Sequence, residues 1–261
     1  MTTRLFSVVV DAADPRMLGH WWSTVLDWRV IYEADDEVVV VPPELAPPAA
    51  VPAASDQAGP HLGDGIPGLV FGASNDDKCG KNRVHLDLAS QSDADQATIV
   101  ERLVAAGASR VDIGQAPDVP WVVLADPEGN EFCVLDPRDR YRGSATLAAV
   151  VVDAYHPEAL AAFWVEATGR TVAQTEDGLV SLRHPRGILP DLEFLRTGEP
   201  RLGKNRLHLD VAPGVHDDRD TEVARLVALG AAPTDVGQRG DENWVVLADP
   251  EGNEFCVLSP R

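Results

Sequence analysis

Trp121-Val-Val-Leu-Ala-Asp-Pro-Glu-Gly-Asn-Glu-Phe-Cys-Val-Leu135 occurs twice in this chain, and the second copy, Trp244–Leu258, is identical over all fifteen residues. Each copy reads as a β-hairpin. Strand-forming residues lead into Asp126-Pro127-Glu128-Gly129-Asn130, and a second strand follows. Proline presets φ at the first corner of a type I turn, and Gly129 can take the left-handed position that closes it. A long repeat of this kind points to a duplicated domain.

The match extends outward from the hairpin. Lys81–Arg138 aligns without a gap on Lys204–Arg261 at an offset of 123, so His208 falls on His85 and Gly230 on Gly107. Val8-Val-Val-Asp11 aligns on Val150-Val-Val-Asp153 at an offset of 142, and Trp164 falls on Trp22. The difference of 19 is a Pro/Ala-rich insertion in the first half, between Pro42 and Pro67. Seven prolines and few large apolar residues give it no core of its own, and it is expected to be a loop able to act as a lid.

The 261 residues fit two domains, expected at residues 1–140 and 144–261. A 44% apolar content lets each half bury a core, and a net charge of −20 argues against nucleic-acid or anionic-membrane partners. Three widely spaced cysteines give neither a disulfide framework nor a C-x-x-C motif. No apolar run is long enough to span a bilayer, and the N-terminus runs straight into a strand. A cytoplasmic setting is the expectation.

Taken in order, each half reads β-α-β-β-β twice. In the first half a strand over 5–11 precedes a helix started by Asp14-Pro15, with Leu18, Trp21, Trp22 and Val25 on one stripe. Strands over 28–33, 37–41 and 68–73 follow. The second unit has a strand over 83–89 and a helix capped by Ser92 with Asp95, whose stripe is Ile99, Val100, Leu103 and Val104. Strands near 110–113, 121–125 and 131–135 complete it, and a basic connector, 138–143, leads into the second half.

Alternation sorts the strand over 83–88 into two faces. Val84, Leu86 and Leu88 share one, and Arg83, His85 and Asp87 share the other. Arg206, His208 and Asp210 repeat the polar face. That face is either a solvated Arg–Asp pair or the lining of a concavity. Cys133 and Cys256 are read either as small buried apolar residues or as ligands. Trp121 and Trp244 are core residues or stack on a flat ligand.

Four β-α-β-β-β units, a His in the first strand of every second unit and two Asp-Pro-Glu-Gly-Asn hairpins resemble the vicinal oxygen chelate superfamily. Lys-Asn-Arg-x-His-Leu-Asp and Asp-Pro-Glu-Gly-Asn-Glu-Phe-Cys resemble its glyoxalase-like domains most. The resemblance implies an α+β fold, with four βαβββ modules forming two glyoxalase-like domains on curved mixed sheets. It also implies a cup able to hold a divalent metal. Carried over residue by residue, the family's metal positions in the first half are Ser7, Val70, His85 and Cys133, which leaves one familiar ligand. In the second half they are Ala149, Glu193, His208 and Cys256, and Glu193, His208 and Cys256 form the expected metal set.

Two functional readings follow. One is a binder of a small aromatic or amphipathic molecule, a resistance protein or an accessory of secondary metabolism. Its ligand would be held by Arg83, Asp87, Trp121, Cys133, Arg206, Asp210 and Trp244, without metal. The other is a lyase or isomerase with a single zinc, nickel or iron ion in the second half. His85 and His208 are the candidate catalytic residues for either metal-assisted or metal-free acid–base chemistry. The only partner expected is a small molecule, with the chain acting as a monomer or homodimer.

Overall fold

The computed structural model describes residues 3–46, 67–143, 146–238 and 242–261. The insertion expected to act as a lid lies outside the described residues over 47–66; the part before it makes a short 3-10 turn at Pro43–Leu45. Four β-α-β-β-β modules succeed one another. The first comprises β1 (Arg4–Ala12), α1 (Pro15–Leu26), β2 (Arg29–Glu33), β3 (Glu37–Val41) and β4 (Gly68–Ala73). The second comprises β5 (Val84–Leu88), α2 (Asp93–Ala105), β6 (Ser109–Arg110), β7 (Val122–Ala125) and β8 (Glu131–Val134). The third comprises β9 (Leu147–Ala154), α3 (Pro157–Thr168), β10 (Thr171–Glu176), β11 (Leu179–Arg183) and β12 (Asp191–Arg196). The fourth comprises β13 (Leu207–Ala212), α4 (Arg219–Ala228), β14 (Ala232–Pro233), β15 (Val245–Ala248) and β16 (Glu254–Val257).

Local chemistry sets the helix ends where the sequence indicates them. The Asp14 carboxylate accepts from Met17 N, and Pro15 occupies the first turn of α1, where its missing N–H costs nothing. Ser92 accepts from Asp95 N to start α2, and Asp95 accepts from Gln91 N in return. Two expectations need correction. The strand near 110–113 is only the two-residue β6, and Val104 is 42% exposed. The i, i+3 row of Val100 and Leu103 faces the core, and Val104 is rotated about 100° from Leu103.

The strands form two eight-stranded mixed sheets, and each draws one module from each half of the chain. Sheet A has the order β14-β15-β16-β13-β1-β4-β3-β2, and sheet B has β10-β11-β12-β9-β5-β8-β7-β6. Antiparallel pairs join the modules at the centre of each sheet: β1 with β13, placing Val9 opposite His208, and β9 with β5, placing Val151 opposite His85. The first module therefore shares its sheet with the fourth, and the second with the third.

Contacts between helices and hairpins tie the modules together within each half. Asp126 opens the first repeated hairpin, and its carboxylate accepts from Glu128 N, Asn130 N and the Asn130 amide within the turn. The same carboxylate accepts from Trp22 Nε1 on α1 at 3.1 Å. Trp22 also meets Phe132 of the hairpin edge-on, with ring centroids 5.1 Å apart. Glu128 then accepts from the backbone N–H of Ala13 and Asp14 at the entry to α1. The second half repeats the arrangement with Asp249, Trp164, Phe255 and Glu251. One continuous apolar cluster joins Leu18, Trp22, Leu103, Leu160, Trp164 and Leu226 to the helix-covered faces of both sheets.

Replacing Asp126 with Ala leaves the Trp22 indole and two turn N–H groups buried without an acceptor. The expected cost is about 2–4 kcal/mol, read as a lower urea midpoint. Trp22→Phe, which keeps an aromatic ring and removes one donor, is expected to cost less.

Candidate functional site

The faces of the two sheets that carry no helices collect the polar residues singled out in the sequence. On sheet B, β5 presents His85 and Asp87, and β8 places Cys133 directly beside Asp87. On sheet A, β13 and β16 do the same with His208, Asp210 and Cys256. Within each trio one ligand atom from every residue lies within 4.8 Å of the others. The His Nε2 to Asp Oδ1 distance is 3.6 Å in both. Asp87 Oδ1 and Asp210 Oδ1 are buried without a geometrically formed hydrogen bond among the described residues, although the adjacent Cys133 and Cys256 thiols act as weak donors to these two carboxylates. Each trio thus offers a nitrogen, an oxygen and a sulfur around one point, with an unused carboxylate lone pair facing it.

The electrostatics follow from burial. Burial, aided by nearby Lys81, lowers His85 to about 3, which keeps the ring neutral. A base that weak takes a proton poorly near neutral pH, so proton transfer by His85 is disfavoured relative to acting as a neutral ligand. Burial, with Glu193 close by, raises Asp87 to about 7. Burial also raises Asp210, although His208 and the Ser7 hydroxyl, which donates to Asp210 Oδ2 at 3.0 Å, oppose the rise. Both thiols are pushed well up by burial and by the adjacent carboxylate, so they stay protonated unless a cation displaces the proton.

The expected metal set of Glu193, His208 and Cys256 is split. Glu193 lies on β12 in sheet B, whereas His208 and Cys256 lie in sheet A. The physical reason is the pairing of modules across the halves, which brings Glu193 toward His85 and Asp87 instead. Asp87 and Asp210, read from the sequence as ligand-contacting residues, are the carboxylates that complete the trios. Their signal was present in the i, i+2 spacing of His-Leu-Asp, which puts both side chains on one face.

The two helix-free faces then diverge. On sheet B, the connector between the halves folds into a 3-10 turn, Asp139–Tyr141, and lays Tyr141 over the strands at 1% exposure. Its hydroxyl donates to Glu193 Oε1 at 2.8 Å, and Arg140 reaches the same oxygen at 2.7 Å. Tyr141 packs with Val123, Cys133 and Leu135, and Trp121 and Leu189 lean on the same cluster. Nearby, Arg183 makes a two-bond ion pair with the buried Asp191. Sheet B is thus filled, with Glu193, Arg183 and Asp191 each bonded within the chain, while Asp87 Oδ1 keeps no partner among the described residues.

The strand registers identify the counterparts on sheet A. Gly68 opposite Ser7 corresponds to Asp191 opposite Ala149, and Val70 opposite Val9 to Glu193 opposite Val151. Val39 and Val41 stand where sheet B has Ser181 and Arg183. The polar cluster of sheet B is therefore replaced on sheet A by valines and a glycine. Phe6, Ile31, Val39, Val41, Val246 and Leu258 line this face. Val9 and Val70 at its centre are only half-buried, whereas Val151 and Glu193 are each 2% exposed.

Of the remaining candidates, the two arginines lie off these faces. Arg83 and Arg206 precede β5 and β13 and donate to the carbonyls of Asp153 and Asp11 at the junction between the sheets. Trp244 is 42% exposed, unlike its copy Trp121. Sequence reasoning missed Tyr141 and Arg140, which sit in the connector and have no repeat counterpart to draw attention to them. It took Ser7 only as a lost metal position.

Two outcomes test this arrangement. Tyr141→Ala opens a cavity and removes one of the two partners of Glu193 Oε1, leaving Arg140 on it, with an expected cost of about 3–5 kcal/mol in urea unfolding that is mostly the cavity. In chelator-treated protein, Asp87 has a folded-state pKa near 7, above its unfolded value. Its favourable contribution is complete in acid and disappears as pH rises through about 7, so Asp87→Asn gains stability relative to wild type at about pH 8 compared with about pH 5. A difference independent of pH would contradict the raised value.

Among curated proteins, none matches the chain in sequence. Among solved structures, glyoxalase I from Zea mays is similar at a TM-score of 0.63 and 12% identity, covering 99% of this chain and 92% of that one. A putative dioxygenase from Bacillus subtilis subsp. subtilis str. 168 is similar at a TM-score of 0.61 and 14% identity, covering 99% and 85%. At these identities the likeness speaks for the fold alone. The family model of the glyoxalase-like domain matches twice, over residues 7–135 and 149–258. The chain belongs to the glyoxalase-like domain family and is a tandem member of the vicinal oxygen chelate superfamily.

Proposed function

We propose that the protein binds a small, largely apolar molecule on the helix-free face of sheet A, with a polar group of that molecule held at the Ser7–His208–Asp210–Cys256 end. The observation that carries this reading is the half-burial of Val9 and Val70 at the centre of a face otherwise lined by buried apolar residues. Apolar surface left part-exposed beside a few converging polar groups is the kind of surface a small molecule covers. Sheet B supports the assignment by contrast, because Tyr141 already fills the equivalent place and Glu193 holds its hydroxyl.

The experiment uses a fluorescent apolar probe, an anilinonaphthalene sulfonate. Val70→Glu puts on sheet A the residue that sheet B carries at its equivalent position. It is expected to weaken probe binding about tenfold or more, since an unpaired carboxylate must be desolvated under the probe. Leu195→Glu, at a 40% exposed position of sheet B, is the control for added charge. Equal binding by wild type and Val70→Glu would sink the proposal.

A second reading, a metal-dependent lyase or isomerase, is favoured by one observation. Each trio brings three donors of zinc-like character together, and the orphaned Asp oxygen gives a cation an unused ligand. His208, Asp210 and Cys256 would hold an ion on sheet A, and His85, Asp87 and Cys133 on sheet B. Bound there, a divalent ion supplies Lewis acidity toward a carbonyl or enolate oxygen. The residues then have plain tasks. Ser7 orients Asp210 through its hydroxyl hydrogen bond, and the surrounding valines exclude water. On sheet A the apolar face admits a substrate beside the trio; on sheet B Tyr141 covers that approach.

Metal content per chain separates the readings. With metal-dependent chemistry, zinc or cobalt loads in proportion to intact trios, and His208→Ala and His85→Ala each remove one equivalent. Cobalt–thiolate charge-transfer absorption should fall in step. A chain that loads no metal after exposure to zinc, nickel and iron leaves binding alone.

A further inference from the structure

A concavity lies away from both helix-free faces, where the two halves meet. It encloses about 320 Å³, within the range of small-ligand sites, and repeat-related residues line it from both sides: Lys81 and Lys204, Asn82 and Asn205, Arg83 and Arg206. These four cations share the cavity wall with Asp153 and Glu199; Lys81 is ion-paired with Asp153, and Lys204 with Asp11 at 2.6 Å. The connectors between 74–80 and 197–203 are also repeat-related, at the offset of 123, yet they treat the two arginines differently.

Arg206 is fully engaged. Its Nε donates to Asn130 Oδ1 at 3.1 Å, its Nη1 to the Asp76 carbonyl at 3.2 Å, and its Nη2 to the Asp11 carbonyl at 2.7 Å. Glu128 adds an ion pair at 3.2 Å, and the Asp76 carboxylate reaches Lys204 at 3.4 Å. Arg83 is its repeat copy and is 8% exposed. Its Nη2 donates to the Asp153 carbonyl, its guanidinium lies over the Tyr155 ring, and Glu251 stands 3.6 Å away. Its Nε and Nη1 have no hydrogen-bond partner among the described residues. The residue aligned with Asp76 is Glu199, and its carbonyl does not take the Arg83 Nη1 proton. Arg83 lines the cavity beside Leu202 and Cys79, although its Nε and Nη1 are themselves closed off from solvent.

A buried guanidinium with two unsatisfied N–H groups is costly, and native structures rarely keep one without a use for it. We propose that this cavity is a binding site for a small organic anion, a phosphate or carboxylate head group held by Arg83 with Lys81 and Lys204 close by. Leu202 and Cys79 provide apolar surface for the rest of the molecule. Oxygen acceptors satisfy both N–H groups once the guanidinium turns into the cavity, where an anion competes with the carboxylates of Asp153 and Glu199 on the same wall. The site is independent of the reading given to sheet A, and it faces neither trio.

Thermal unfolding with inorganic phosphate, and separately with succinate, tests the site against chloride at matched ionic strength. Saturating anion is expected to raise the wild-type Tm by roughly 2–4 °C. Arg83→Gln should abolish the shift, and Arg142→Gln, a cation on the exposed connector, should keep it. Glu199→Gln removes a negative charge from the cavity wall without touching a buried contact, and it should tighten binding about two- to fivefold. A response to phosphate alone, succinate alone or both supports the site and identifies its head group. No shift beyond chloride with either anion, or a full shift retained in Arg83→Gln, overturns it. If Arg83→Gln does not fold, an affinity unchanged in Glu199→Gln overturns it instead.

Discussion

A single buried carboxylate holds each half of this protein together. Asp126, and Asp249 in the copy, closes the hairpin turn by accepting from three local donors and reaches the indole of a helix in the neighbouring module. Burial raises the pKa of both, and the turn N–H groups and indole work against that rise. A carboxylate in such a place is tolerable because nearly every lone pair is used. The repeated glutamate extends the same logic: Glu128 and Glu251 terminate the free N–H groups at the starts of α1 and α3. The hairpin is thus a joint between modules before it is anything chemical.

That joint explains how each sheet can draw on both halves. Helix and hairpin fasten module one to two and three to four, leaving β1, β5, β9 and β13 with edges to pair. Pairing β1 with β13 and β9 with β5 satisfies those edges across the halves. The functional consequence is direct, because a face that might have been assembled from one half is assembled from two. Glu193 is thereby removed from His208 and given to Tyr141.

Much of the fold was legible in the sequence, since periodicity, caps and the repeat are local signals. Asp14-Pro15 and Ser92 mark helix starts that the hydrogen bonds realise. The alternation in Val-His-Leu-Asp-Leu correctly separates the apolar face from the face of His85 and Asp87. What was not legible is the partner of each edge strand, because β1 pairs as readily in principle with a strand of its own half as with β13. The metal set containing Glu193 failed for that reason. The filling of sheet B was hidden too, since Tyr141 lies in a short polar connector whose role appears only when Glu193 is above it.

Duplication makes the differences between copies more informative than the identities. The His-Asp-Cys trio stands on both sheets with the same 3.6 Å spacing, so its presence alone does not say which face works. The positions around it do. Sheet B has Glu193, Arg183 and Asp191, each bonded to another residue of the chain, whereas sheet A has Val70, Val41 and Gly68, which ask for no partner. Polar groups satisfied internally make a stable floor, and half-buried valines make one that gains by being covered. The junction between the halves obeys the same rule in reverse, for there the engaged Arg206 is the structural copy and the under-bonded Arg83 is the one with capacity to spare. In each pair, the copy that differs from its partner by leaving apolar surface or N–H groups unmet is the one proposed to meet a ligand.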